Sequence, residues 1–298
     1  MKSDNPVDIY LSRLAESGRR SMSSQLRKIA KLMKWKGHLN ECLFYCLTYS
    51  DLEMIKRQCI EEGKAARTIN HLIQGLRGIA KIANHLDLIN DKQLKPFLTI
   101  SLLNTQPSEK GKALEGRDVI KLISAMRADT SIKGKRNLAL ISVFLSSGLR
   151  RSEIVKLKVQ DIDFELQSIS VLKGKGNKKR VQFLPDWSYQ ILIDWLNYKP
   201  ENSSFVFIPV NRHLISKPLS TAAAYQIVTS ITNSILGVKC SPHDLRRTFV
   251  TELLNQNVDI ATVSKMAGHA NIATTQIYDK RGDEVLIKAA KNLTFGSK

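Results

Sequence analysis

The stretch VQDIDFELQSISVLKGKGNKKRVQFLP, residues 159–185, changes the period of the chain. On either side the apolar residues recur at helical spacing. Here SISVL and RVQFL are short β-type runs separated by a turn rich in glycine and lysine. Two such runs joined by a short turn predict a small antiparallel sheet, with Lys175 at the hairpin tip. Working outward, KRNLALISVFLSS (135–147) is almost continuously apolar and predicts a buried central helix that Gly148 stops. Helical spacing also runs from Glu115 to Met126 and resumes after Pro185. The last helices are expected near 244–256, 259–267 and 272–278. The fold class is therefore mainly α with a small antiparallel β-sheet.

Upstream, QLRKIAKLM (25–33) and TINHLIQGLRGIAKIANHL (68–86) predict a separate helical domain over 1–95, with Thr68 placed to cap the second helix. The segment 96–114, PFLTISLLNTQPSEKGKAL, holds two prolines and a polar run, and is expected to be a linker into a second domain over 115–298. No apolar run approaches the roughly 20 residues that cross a bilayer. The first residues lack the apolar core of a secretory signal, so a cytoplasmic protein is expected. Cys42, Cys46, Cys59 and Cys240 form no paired spacing, which fits reduced thiols better than metal ligands or disulfides.

Charge narrows the partner. The 298 residues carry 46 Lys and Arg against 27 Asp and Glu, a net of +19. Residues 1–109 hold 17 basic and 11 acidic side chains and residues 110–298 hold 29 and 16, so the excess is spread over both parts. A polyanion such as DNA or RNA is the partner class this favours. A small anionic substrate needs only a local patch. Arg13, Arg19, Arg20, Arg27, Lys28, Lys31 and Lys34 are candidates for a basic surface in the first domain, or for a plain solvated face.

Four motifs carry chemistry. GKGNKKR (174–180) can deliver Lys175 to a phosphate, although alone it is as readily a solvated turn. It is not a nucleotide-binding P-loop, because the pattern and its strand-to-helix setting are missing. HDLRRTF (243–249) sets His243 and Arg246 on adjacent helical turns, a proton carrier beside a two-pronged cation. GLRRSEI (148–154) puts Arg150 just past a helix stop. GHANIATTQIY (268–278) supplies His269 and Tyr278, with Asn271 able to cap the short helix between them. Each motif alone is weak, since a single histidine or tyrosine is more often part of a core.

Taken in order, the four motifs resemble the tyrosine recombinase, or lambda-type phage integrase, family. The likeness is specific over about 110–290 and looser over 1–95, which is similar to that family's helical core-binding domain. The resemblance implies a tyrosine recombinase catalytic domain and a clamp with one domain on each face of duplex DNA. It implies Arg150, Lys175, His243, Arg246 and His269 as the activating set, and Tyr278 as the nucleophile of a 3′-phosphotyrosyl intermediate. It implies no cofactor and no metal. The implied partner is double-stranded DNA bearing a specific crossover site. A homotetramer on two sites would act there, with or without a second recombinase or accessory protein, in the cytoplasm at the nucleoid. EVLIKAAKNL (284–293) is then the candidate C-terminal exchange segment, its apolar stripe docking on a neighbour or on its own domain.

Two departures bear on the role. Arg247 stands where many members have His, and DKRG (279–282) follows Tyr278 where chromosome-dimer-resolving members usually have a Thr-His pair. The second favours integration or excision of a mobile element. A chromosome-dimer-resolving recombinase and a type IB topoisomerase remain the alternatives.

Overall fold

A computed structural model describes residues 5–105, 111, 113–172, 179–201, 203–210, 217–269, 271–279, 281–282, 287 and 290–291. The chain divides into two compact units, Met1–Ser108 and Glu109–Lys298.

Among its described residues the first unit holds five α-helices: α1 (Pro6–Ser12), α2 (Glu16–Leu32), α3 (Tyr49–Glu61), α4 (Ala66–His85) and α5 (Asp91–Thr99). Ile69, Leu72, Ile73, Leu76, Ile79, Ala80 and Ala83 recur at three- and four-residue intervals, so α4 lays one apolar stripe against Met22, Leu26 and Ile29 of α2. Two expectations are corrected here. Ala65, not Thr68, stands at the start of α4, because the helix begins one turn earlier. The linker does not start at residue 96. Pro96 lies within α5, and Phe97 is only 1% exposed in the core. Inside a helix a proline loses the hydrogen bond to the carbonyl four residues upstream, here Lys92, and crowds it. Burial of Phe97 and Ile100 outweighs that loss.

The second unit is built on α7 (Ile132–Ser147). It packs against α6 (Gly116–Met126) and, more extensively, against α9 (Asp186–Tyr198) and α11 (Pro242–Asn255). Every α7 residue from Arg136 to Ser147 is buried, as expected of a central helix with an almost unbroken apolar run. Most of its polar residues find partners inside: Arg136 bonds Asn137 and the Ile208 carbonyl, and Ser146 meets Ser188 at 2.6 Å, while the buried Ser142 hydroxyl has none among the described residues. After α7 come α8 (Arg151–Ile154) and a three-stranded antiparallel sheet of β1 (Ile162–Asp163), β2 (Ser168–Leu172) and β3 (Lys179–Phe183), ordered β1-β2-β3. The sheet is the one expected, with β1 added at its edge. Its hairpin tip, Lys175 included, lies outside the described residues.

The register pairs Ile169 with Gln182 and Val171 with Arg180. Cross-strand partners share a face, so the buried Ile169 and Val171 bring Arg180 inward with them. The chain closes with α10 (Thr221–Leu236), α12 (Ile260–Ala267) and α13 (Ala273–Gln276). A small cluster of Phe249, Val250, Leu254, Val263 and Ala267 joins α11 to α12, and Tyr278 packs against it. Of the segment 284–293, only Ile287, Ala290 and Lys291 are described, as helical. Its expected stripe therefore lies outside the described residues. All four cysteines are free thiols. Among the described residues no helix is long and apolar enough to cross a membrane.

Candidate active site

The site is assembled at the ends of four elements. Gly148 ends α7 in the left-handed conformation (φ 58°), which a glycine adopts without strain. That turn places Arg150 at the start of α8 and aims the Gly148 carbonyl at Arg246, whose Nη1 donates to it. A side chain at 148 would run into the Phe249 ring. Opposite, α11 opens with a capping box in which Ser241 and Asp244 bond each other's backbone, and Pro242 occupies the first turn. One turn in, His243 and Arg246 project toward Arg150. Together with Leu149, Arg151, Pro242 and Tyr225 they line a cleft of about 270 Å³.

His269 and Tyr278 come from the loop after α12 and the turn after α13. Gly268 (φ 67°) ends α12. His269 Nδ1 lies 2.8 Å from Thr275 Oγ1, and its ring stacks on that of Tyr278 with centroids 6.1 Å apart. The Asn271 side chain accepts from the Ala273 N–H at 2.9 Å, but Ile272, not Asn271 as expected, stands at the cap of α13. The Tyr278 hydroxyl lies 3.4 Å from His243 Nε2. Of the six residues singled out in the sequence, these contacts bring five into one neighbourhood, and Lys175 lies outside the described residues.

The electrostatics are those of a cluster of partly buried cations around two imidazoles. Burial first, then the charge of Arg150, pulls the Arg246 guanidinium down to about 10, so it remains cationic at neutral pH. Burial first, then Arg246 and Arg150, depresses His269 to about 4. His243 is lowered too, by burial and then by Arg247 and Arg246. Burial first, and then the cations around them, thus keep both imidazoles neutral at pH 7. Among the described residues no group of three His, Cys, Asp or Glu side chains is placed to hold a metal ion.

Three neighbours were not singled out for the site. Glu153 accepts from Arg150 Nη1 at 3.0 Å and from Arg180 Nη1 and Nη2 at 2.9 and 2.7 Å. Burial alone would raise this carboxyl, but the hydrogen bonds and charges of Arg180 and Arg150 hold it down at about 2. Arg247, noted only as a departure from the family pattern, sits with its guanidinium 5.4 Å from the Tyr278 ring centre and donates to the Gly111 carbonyl. Glu153 stands three residues after Arg150, a spacing visible in GLRRSEI. Nothing in the sequence paired it with Arg180, because that contact depends on the strand register.

The phage integrase family model matches residues 112–284. The chain belongs to the phage integrase family. Within this family of tyrosine recombinases, the protein named tyrosine recombinase XerA from Thermococcus kodakarensis is 29% identical over 261 residues, covering 88% of this chain and 84% of its own. Tyrosine recombinase XerC of Bacillus licheniformis is 30% identical, covering 82% of this chain and 80% of its own. Among solved structures, a Tn1549 transposon integrase in complex with transposon right end DNA aligns with a TM-score of 0.73 at 19% identity, over 96% of this chain and 99% of that one. That likeness is one of fold, and it includes the mainly helical architecture with its small sheet.

Proposed function

We propose that this integrase-family chain is a site-specific DNA recombinase that breaks and rejoins duplex DNA through a 3′-phosphotyrosyl bond at Tyr278. The supporting observation is the Tyr278 hydroxyl at 3.4 Å from His243 Nε2, an imidazole that burial first, then Arg247 and Arg246, bias toward its neutral form. A phenol attacks phosphorus only as its proton leaves, and a neutral imidazole can take that proton. Arg150 and Arg246 hold the two nonbridging oxygens, where negative charge grows in the transition state. His269 has its Nδ1 engaged by Thr275, leaving Nε2 for a phosphate oxygen.

The phenolic oxygen forms a P–O bond while the bond from phosphorus to the 5′-oxygen breaks. Lys175 is the acid that protonates this leaving oxygen. The phosphodiester energy is retained in the new bond, so a 5′-hydroxyl from a second duplex can attack and release Tyr278 without ATP. Exchange of four strands needs four active sites, which supports a homotetramer on two crossover sites. DKRG after Tyr278 supports integration or excision of a mobile element over chromosome-dimer resolution.

The test starts with duplexes selected by binding from fragments flanking the gene. Two such sites on one supercoiled plasmid should yield recombinants. Relaxation of the plasmid with no recombinant product would instead identify a type IB topoisomerase.

A further inference from the structure

Arg180 is a buried cation that the proposed chemistry leaves unused. It comes from β3, its side chain is 7% exposed, and it grips Glu153 with both terminal nitrogens. Its guanidinium also lies 3.0 Å from where a side chain at Gly268 would begin, so the turn leading to His269 rests on it. Glu153 is shared, since its Oε1 receives both Arg180 and Arg150. Arg150 is further tied to the Gly268 carbonyl at 2.8 Å. Arg150 is 44% exposed at its side chain, whereas Glu153 is 14% exposed.

The charges explain the arrangement. A carboxylate beside the arginine that must hold a phosphate is a competitor for it. With Arg180 in place, the carboxylate is already engaged by a two-pronged pair, and a single Arg150 nitrogen suffices to orient that side chain. Without Arg180, Glu153 would be a largely buried anion with one cation in reach. It would close on Arg150 with both oxygens.

We propose that Arg180 is a positioning residue that occupies Glu153 and so keeps the Arg150 guanidinium free for the scissile phosphate. This rests on the recombinase reading above. It makes an unusual prediction: the damage from losing Arg180 is done by Glu153, so removing the carboxylate's charge as well should repair part of it.

The experiment is single-turnover formation of the covalent protein–DNA adduct on a nicked cognate duplex, with thermal melting of each protein measured alongside. Adduct from the unmodified chain first establishes the underlying reading, and its absence would count against that reading rather than against this one. Arg180→Met should slow adduct formation by about 100-fold, in the range for loss of one anion-stabilising donor. Arg180→Met with Glu153→Gln should form adduct at least about tenfold faster than Arg180→Met alone. Arg180→Lys, which keeps the charge, should stay within about tenfold of the unmodified rate. Added to Arg150→Ala, Arg180→Met should change the rate less than about twofold, because residues acting through one another do not combine independently. A double variant no faster than Arg180→Met, with both still folded, would overturn the proposal. So would full multiplication of the Arg150 and Arg180 effects, and this second comparison decides the matter where the double variant fails to fold.

Discussion

At Tyr278 and its two histidines, burial first and then the surrounding cations hold both imidazoles neutral. This has a consequence for stability. His269, near 4 in the fold, and His243, also lowered, take up protons more readily when the chain is unfolded. Stability is therefore independent of these groups above the ordinary histidine range and falls as pH drops through it toward 4. Between pH 7 and 5, above the range of most carboxylates, melting temperature should decrease, and His269→Gln should flatten the decrease. A melting temperature that rises over that interval would contradict neutral histidines. Lys175 is tested by chemistry: Lys175→Ala should slow adduct formation by about 10²–10⁴-fold, as loss of a general acid does. A substrate with sulfur at the 5′-bridging position has a leaving group that needs little protonation. It should rescue Lys175→Ala well and Arg150→Ala poorly, and equal rescue of both would remove Lys175 from the acid role.

At the scale of elements, the end of α7 sets the site, because one turn directs both Arg150 and the carbonyl that Arg246 grips. Gly148→Ala should lose about 1–2 kcal/mol from the left-handed backbone alone. Displacement of the Phe249 ring adds to that. Denaturant melts should show the loss, and adduct formation should fall with it. A stability unchanged by Gly148→Ala would mean that the turn is not held as described. Gly148, the strand runs and the buried α7 were legible in the sequence, because each rests on local patterning: a helix stop, a two-residue period, an unbroken apolar run. The end of the first unit was not legible. Pro96 reads as a break, and only tertiary burial of Phe97 and Ile100 makes α5 continue through it. The Glu153–Arg180 pair was hidden for a related reason. The residues lie 27 apart, and only the pairing of Val171 with Arg180 turns that arginine inward. The proposed catalytic set was legible through the order and spacing of its motifs, which composition and periodicity alone did not supply.

For the whole molecule, the net charge of +19, spread over both units, favours a polyanionic partner, as the proposed function requires. Duplex affinity should fall steeply with salt. Five or more phosphate contacts would give a log–log slope steeper than about −4. Binding by the full chain across a salt series measures this, and a slope near zero would contradict a phosphate-dominated interface. Lys178 and Lys179, changed to alanine, should weaken binding to unrelated duplexes about equally, as contacts to backbone rather than bases do.

The central claim is that Tyr278 becomes covalently joined to DNA. The direct measurement uses a cognate duplex nicked so that the 5′-hydroxyl fragment diffuses away, with chelator present and no added metal. The unmodified chain should accumulate a denaturation-resistant protein–DNA complex, and peptide mapping should place the nucleotide on Tyr278. Tyr278→Phe keeps the ring that packs beside Val263 and Phe249. It should bind the same duplex and form no such complex. An undiminished adduct in Tyr278→Phe, mapping to Tyr225 or a serine, would contradict the account.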